Sequence, residues 1–268
     1  MTKTFTLMRA RQRDRRHLLR GAVAAAGAAM LAGCDKLSNN ASFVETLKSA
    51  QNLSHAAGRI VAPKAAMAQE FSPSDVPASF RGNGTLDPQD TDYKALLQAG
   101  FADYKLKVSG LVETPAEYTL AQLRAMPSRT QITRHDCVEG WSCIGKWKGV
   151  PLGLVLDAAK PTAEAKFVVF RCFDSMDGPT LDGRDSRYYE SIDLDEAHHA
   201  QTILAYDLND KALPVINGAP LRCRVERQLG YKQAKYVEAI ELVDSFASIR
   251  GGQGGYWEDE GYEWYGGI

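Results

Sequence analysis

Several common signatures are missing from this chain. It has no C-x-x-C pair, and only His135 lies near Cys137, so a zinc ligand set is absent. No C-x-x-C-H attaches a c-type haem, no G-x-G-x-x-G follows a strand, and there is no P-loop. No G-x-S-x-G forms a hydrolase elbow. These absences argue against nicotinamide, nucleotide and serine-hydrolase chemistry. Beyond an Ala-rich run near the N-terminus, no segment has the apolar length of a membrane span. Positive charge is scarce as well. The first 33 residues hold seven Lys/Arg and one acid, Asp14, leaving 25 basic against 32 acidic residues in the rest. Nucleic-acid binding needs a dense basic surface, so nucleic acid is not an expected partner. No internal repeat is visible.

What is present begins with an address. Residues 1–34 combine a basic start, an apolar run from Gly21 to Ala32, and small residues before Cys34. Asp14-Arg15-Arg16-His17-Leu18-Leu19-Arg20 looks like a twin-arginine signal. Leu31-Ala32-Gly33-Cys34 resembles a lipoprotein box, with Cys34 as the lipidated residue. An ordinary secretory signal with chance arginines is the alternative. The twin-arginine reading predicts a periplasmic protein, lipid-anchored to the inner membrane through Cys34. It also hints at a cofactor, because such substrates cross the membrane already folded.

Residues 35–92 read as a helical spacer and entry segment. Ser42-Phe43-Val44-Glu45 fits a capping box, and Phe43, Leu47, Ala50, Leu53 and Ala57 recur on one helical face. Ser72-Pro73 and Val76-Pro77 lead into the main domain, 93–268. There, Lys105–Val112 alternates like a half-buried strand, and Thr119 caps a short helix that Pro127 stops. Gln131–Cys137 is the next strand, with Thr133, His135 and Cys137 on one face. An aromatic-glycine loop walled by Trp141 and Trp147 is expected after it, then a helix from Pro151 to Ala159. Further strands are read at Lys166–Cys172, Gln201–Tyr206, Pro220–Val225 and Tyr236–Val243, with a short helix at Asp193–His199. Strands and helices mix without alternation, so the fold class is α+β with a mixed sheet.

Five cysteines are present, Cys34 among them. In an exported protein the even remainder (Cys137, Cys143, Cys172 and Cys223) first suggests two disulfides. Near the C-terminus, Asn217-Gly-Ala-Pro-Leu-Arg222 and Gly230-Tyr-Lys232-Gln233-Ala-Lys235 place an amide, a guanidinium and two ammonium groups around glycine turns. That cluster suits a phosphate or pyrophosphate, or equally a solvated basic face. His198 and His199 read as surface residues at a helix C-terminus, favouring its dipole. Glu139 reads as a shaper of the turn after Cys137. The Tyr- and Trp-rich tail from Gly251 to Gly267 reads as a cover for the domain, with partner docking as the alternative.

Six motifs occur in order: Cys137-Val-Glu-Gly-Trp-Ser142, Gly149-Val-Pro-Leu152, Tyr188-Tyr-Glu-Ser191, Asn217 to Arg222, Gly230 through Glu241, and Tyr256-Trp-Glu-Asp-Glu-Gly-Tyr262. Together they resemble the molybdopterin-binding domain of the sulfite oxidase family, nearest to its exported bacterial sulfoxide-reductase branch. The resemblance implies one molybdenum per chain on molybdopterin, with Cys137 as the protein thiolate. A soft sulfur ligand suits a high-valent metal. It also implies that Asn217 and Arg222 hold the pterin and that Lys232, Gln233 and Lys235 grip its phosphate. Tyr188 falls on the substrate side and Asn83 at an N-terminal cofactor contact. Cys172 stands where that branch has a cofactor-contacting threonine, and Cys223 replaces an aliphatic residue.

The implied reaction is oxygen-atom transfer on a small sulfoxide, N-oxide or sulfite, with electrons exchanged with a separate haem protein, soluble or membrane-bound. Sulfite oxidation is the enzymatic alternative; its anion would need cations such as Arg134, Arg171, Arg184 or Arg187. A cofactor-free binding lipoprotein is the alternative of another class. The sequence stops at Ile268 without the immunoglobulin-like dimerisation domain of true sulfite oxidases, so a monomer is expected.

Overall fold

The computed structural model describes residues 40, 42, 43, 46, 53, 65–176 and 186–268. The chain divides into two compact units, Met1–Ala57 and Gly58–Ile268. In the first, Ser42, Phe43, Thr46 and Leu53 are helical. The Phe43 N–H donates to Asn40 Oδ1 at 3.1 Å, so Asn40 is the capping acceptor and Ser42 already lies inside the helix. The expected box at Ser42 is thereby corrected. The twin-arginine stretch, Cys34, the remainder of the spacer helix and Arg184 lie outside the described residues.

The second unit is α+β, built on two sheets. In the first sheet, β1 (Lys105–Gly110) lies between β2 (Ala116–Thr119) and β10 (Val237–Val243). Beyond β10 come β5 (Phe167–Ser175) and β6 (Arg187–Asp193). The β1–β10 pair is parallel and the other pairs are antiparallel, so this sheet is mixed. The second sheet pairs β3 (Arg129–Asp136), β4 (Ser142–Pro151), β7 (Ile203–Leu208) and β8 (Lys211–Ala212), with β9 (Arg222–Arg224) also on β7.

Short helices fill the connections: α1 (Thr91–Gln98), α2 (Leu120–Ala125), α3 (Leu152–Ala159), α4 (Leu194–Ala197) and α5 (Tyr256–Asp259). Helix α2 forms where Thr119 and Gln122 satisfy each other's backbone amides in a capping box. The largest core cluster draws on both sheets: Leu106, Val108, Phe170 and Ile240 from the first, and Val150, Leu204 and Tyr206 from the second. Leu152, Val155 and Leu156 of α3 pack into it. Each such side chain contributes about 1.5–3 kcal/mol by leaving water.

Three sequence expectations change. Ser142–Pro151, read as a loop, is a ten-residue strand antiparallel to β3. Its glycines are needed for close packing: a Cβ on Gly149 would lie 2.2 Å from the Leu204 carbonyl oxygen. The four described cysteines outside the first unit are free thiols rather than two disulfides. In the ladders Cys143 sits opposite His135, Cys172 opposite Val237 and Cys223 opposite Leu204, none of them opposite another cysteine. His199 is buried rather than on the surface: its Nε2 lies 3.1 Å from the Ala66 carbonyl, and its Nδ1 accepts from the Gln201 N–H. Residues 65–92 run along this unit, with a bridge from Glu70 to Thr133 and Phe80 packed edge-on against Trp147.

Candidate active site

Strand β3 ends at Asp136, and the chain turns at once through Cys137. The Cys137 N–H donates to the Trp141 carbonyl at 2.9 Å, and the Gly140 N–H to the Cys137 carbonyl at 3.0 Å. Gly140 sits at φ 82°, a backbone that glycine adopts without strain. Glu139 accepts from the Trp141 indole at 2.8 Å, and the Arg81 guanidinium lies 4.8 Å from the centroid of that ring. Glu139 thus fixes Trp141, and the clasped turn presents the half-buried Cys137 thiol to a cavity of about 170 Å³. Trp147 is elsewhere, buried beneath Arg222 and Arg224 at 5.0 and 4.3 Å. It walls a cation layer rather than the thiol.

Of the other residues singled out from sequence, Asn83, Tyr188, Gln233 and Lys235 line the same cavity. The Tyr188 hydroxyl donates to the Tyr231 carbonyl at 2.5 Å, and Gln233 donates to the Val225 and Gln228 carbonyls. Lys235 Nζ donates to the carbonyls of Asn83 and Thr85, both at 2.5 Å, tying the 81–85 loop down. Behind them, Arg222 donates to the Asn217 carbonyl at 2.9 Å, while its Nε has no partner. Asn217 itself donates to the Arg81 carbonyl at 3.4 Å. Gly218, at φ 110°, closes the turn so tightly that a Cβ there would meet both Lys235 and Arg222.

Lys232 and Cys172 do not join this group. Lys232 Nζ is buried 2.5 Å from both Glu190 Oε1 and Glu258 Oε1 and does not line the cavity. Cys172 is buried in the core, and burial pushes its thiol well up. The arginines considered for an anion pocket are also spent. Arg134 pairs with Asp136 at 2.8 Å, Arg171 with Glu241 at 2.7 Å, and Arg187 with Asp90 and Glu238. None of these three lines the cavity.

The structure adds Asp174 and Met176, which no motif announced, and gives Tyr231, Trp257 and Tyr262 of the quoted motifs a place at the cavity. Asp174, at the end of β5, lines the cavity while nearly buried, and its Oδ1 has no partner. Burial raises its carboxyl to about 6 against the opposing pull of Lys235. Met176, Tyr231, Trp257 and Tyr262 complete an apolar and aromatic rim. A lone acid in an otherwise apolar strand was the one available signal for Asp174.

The electrostatics are unbalanced. Neither Arg222 nor Lys235 has a carboxylate within 4.0 Å among the described residues. Burial, then the neighbouring Arg224, lowers Arg222 to about 9; burial, then Arg222, lowers Lys235 to about 7. Only the more distant acids Glu226 and Asp174 offset Arg222 and Lys235, so these buried cations can take an anion. His135, also buried, has its Nδ1 3.0 Å from Arg224 Nη1. The same Nδ1 lies 3.3 Å from Gln233 Oε1, so it stands between a donor and an acceptor, and Nε2 has no partner. Burial, then Arg224 and Arg222, holds this ring neutral. Burial also raises the Cys137 thiol.

The oxidoreductase molybdopterin binding domain matches residues 94–248. The chain belongs to that family. Membership makes it an oxidoreductase and molybdopterin its cofactor. It is 42% identical over 166 residues to a putative protein-methionine-sulfoxide reductase subunit YedZ1 of Azospira oryzae, covering 62% of this chain and 56% of that one. It is 37% identical over 167 residues to the protein-methionine-sulfoxide reductase catalytic subunit MsrP of Xanthomonas campestris pv. campestris, covering 61% and 51%. The chain therefore spans about half the length of the curated relatives it matches. Among solved structures, the sulfane dehydrogenase SoxCD of Paracoccus pantotrophus aligns with a TM-score of 0.48 and 23% identity, over 56% of this chain and 40% of that one.

The residues present fit the cofactor. Among the described residues no three His, Cys, Asp or Glu side chains converge on a metal position, whereas one thiol faces the cavity. A metal held by one protein sulfur and the sulfurs of a pterin needs no more than that. The unpartnered Arg222 Nε and Asp174 Oδ1 offer a donor toward an anion and an acceptor toward ring N–H groups.

Proposed function

We propose that this chain is an exported molybdopterin oxidoreductase that removes oxygen from an uncharged sulfoxide or related oxide, with electrons delivered by a separate haem protein. The observation that carries this reading is the setting of the Cys137 thiol. It opens on a cavity rimmed by Val138, Met176, Trp257 and Tyr262, into which Arg134, Arg171 and Arg187 do not reach. A sulfite dianion would bring its charge to an apolar rim with one lining cation, Lys235, against two lining acids, Glu139 and Asp174. A neutral sulfoxide meets no such penalty.

When bound, the cofactor supplies two-electron oxygen-atom exchange. The chain's own work is to hold and exclude. Cys137 is the ligand to the metal, and the Cys137–Trp141 turn fixes its direction. Arg222, with Asn217 beneath it, would hold an anionic group of the cofactor, and Asp174 would accept from an N–H of the pterin. Lys235 keeps the 81–85 loop against the cavity, and Tyr188 keeps its ring there by bonding the Tyr231 carbonyl. The Arg15-Arg16 pair and Leu31–Cys34 support export and anchoring in the periplasm, and the lack of a C-x-x-C-H motif supports a separate haem partner.

Metal and pterin analysis of the purified protein comes first. Near-stoichiometric molybdenum with released pterin is expected, whereas absence of both after expression in a pterin-competent host favours a cofactor-free binding lipoprotein. The loaded enzyme is then given reduced viologen dye with sulfoxides, and separately sulfite with oxidised cytochrome c. Dye oxidation by sulfoxides is expected. Turnover of sulfite alone would reverse the assigned direction.

A further inference from the structure

We infer that the C-terminal tail determines which substrates enter: Trp257 and Tyr262 form the wall against which the apolar arm of a sulfoxide lies, and Glu258 positions that wall. The inference rests on the oxygen-transfer reading above. Both rings line the cavity that Cys137 opens on, and they stack on each other at 5.2 Å and 29°. Tyr231 meets Tyr262 edge-on at 5.4 Å. Aromatic faces of this kind take up an extended apolar arm, such as the aryl or longer alkyl group of a sulfoxide, and give nothing to an inorganic oxyanion. Val138 and Tyr262 are 45% and 40% exposed, so the rim is open to an arm carried on a larger molecule.

A wall must be held to select, and the tail cannot hold itself. Helix α5 is four residues long, far below the length at which an isolated helix is stable. It is anchored by Glu258, whose carboxylate shares Lys232 with Glu190 in a buried triple, each contact 2.5 Å. Gly255 packs on the triple so closely that a Cβ there would lie 2.0 Å from Glu258 Oε2. The adjacent Asp259 accepts from the Tyr189 hydroxyl at 2.5 Å, and downstream the Leu229 N–H donates to the Gly266 carbonyl at 2.7 Å. The anchor comes from β6 and the Gly230–Lys232 turn, and Gly230 and Tyr231 of that turn line the cavity beside Cys137.

The test uses the full-length holoenzyme with methyl phenyl sulfoxide and dimethyl sulfoxide. Binding is measured by calorimetry in the absence of reductant, and kcat and KM with reduced dye. Trp257→Ala and Tyr262→Ala are expected to weaken methyl phenyl sulfoxide binding and raise its KM about tenfold or more. The KM for dimethyl sulfoxide, which has no arm to place, should move less than threefold. Molybdenum content should not change. Glu258→Gln should shift KM in the same substrate-dependent way with kcat kept, a split that a general loss of folding cannot produce. Trp257→Phe, which keeps an aromatic face, should restore most of the affinity. Methyl phenyl sulfoxide that fails to bind the parent enzyme, or binds the Trp257→Ala protein equally well, overturns the inference. Binding that depends on Trp257 without sulfoxide turnover keeps the wall and removes the function reading; turnover indifferent to Trp257 does the reverse.

Discussion

Replacing Lys232 with methionine tests whether this lysine grips an anion or holds the fold. Its ammonium lies 2.5 Å from both Glu190 and Glu258, and all three side chains are buried. Methionine matches the length of the stem but leaves two carboxylates facing each other without a cation. Breaking a buried pair in this way costs about 3–5 kcal/mol. For a unit of this size each kcal/mol lowers Tm by about 2–4 °C, so a fall of roughly 6–20 °C is expected. Differential scanning calorimetry on cofactor-free protein reads it directly. The pH dependence has a definite sign. Burial already pushes Glu190 well above its ordinary value, with Lys232 opposing. Without Lys232 the folded protein keeps a proton on Glu190 that the unfolded chain has released. The variant's deficit is therefore smallest near pH 5 and grows as pH rises through neutrality. Adding Glu258→Gln removes one of the facing charges and should recover at least about 1 kcal/mol, because neighbours in one network couple. An unchanged Tm in the cofactor-free protein, together with lost molybdenum, would refute this reasoning and return Lys232 to the phosphate.

Three other outcomes follow from the same geometry. Cys137→Ser should abolish turnover while leaving the circular dichroism spectrum intact, since the turn is held by backbone bonds at Cys137, Gly140 and Trp141; retained activity would mean that another residue is the ligand. Sulfate should raise the Tm of cofactor-free protein more at pH 6 than at pH 8.5, because Lys235 titrates at about 7 and its charge is present only on the acid side; a gain independent of pH would separate Lys235 from the anion site. Gly149→Ala should destabilise by about 1–3 kcal/mol or more through overpacking against the Leu204 carbonyl, read as a lower urea midpoint at constant m-value.

How much of this was legible in the sequence depends on the distance over which each feature is decided. Features set locally were readable: the Thr119 cap, the apolar run of β5 and the thiol at the end of β3 all rest on neighbours a few residues apart. Features set by distant partners were not. Ser142–Pro151 carries Gly145, Lys146, Lys148 and Gly149, a composition that reads as loop, and becomes a strand because β3 and β7 pair on either side of it. His199 looked solvated because nothing near it in sequence reveals that Ala66, 133 residues earlier, supplies its hydrogen-bond partner.

Lys232 shows the same limit at the site itself. A lysine after a glycine turn in an acidic chain reads as a phosphate ligand, and the glutamates that neutralise it lie 42 and 26 residues away. Lys235, three positions on, meets backbone carbonyls instead, has only the more distant Asp174 to offset it and faces the cavity. Local pattern thus places basic residues at the right turn but does not tell which of them is free to meet an anion. That is decided by where the acids of β6 and the tail come to rest. The same reasoning explains Asp174, whose role is invisible in sequence because its meaning comes from the absence of a partner for Oδ1 inside the fold. In both cases the site is defined by charge left over after the protein has paired what it can.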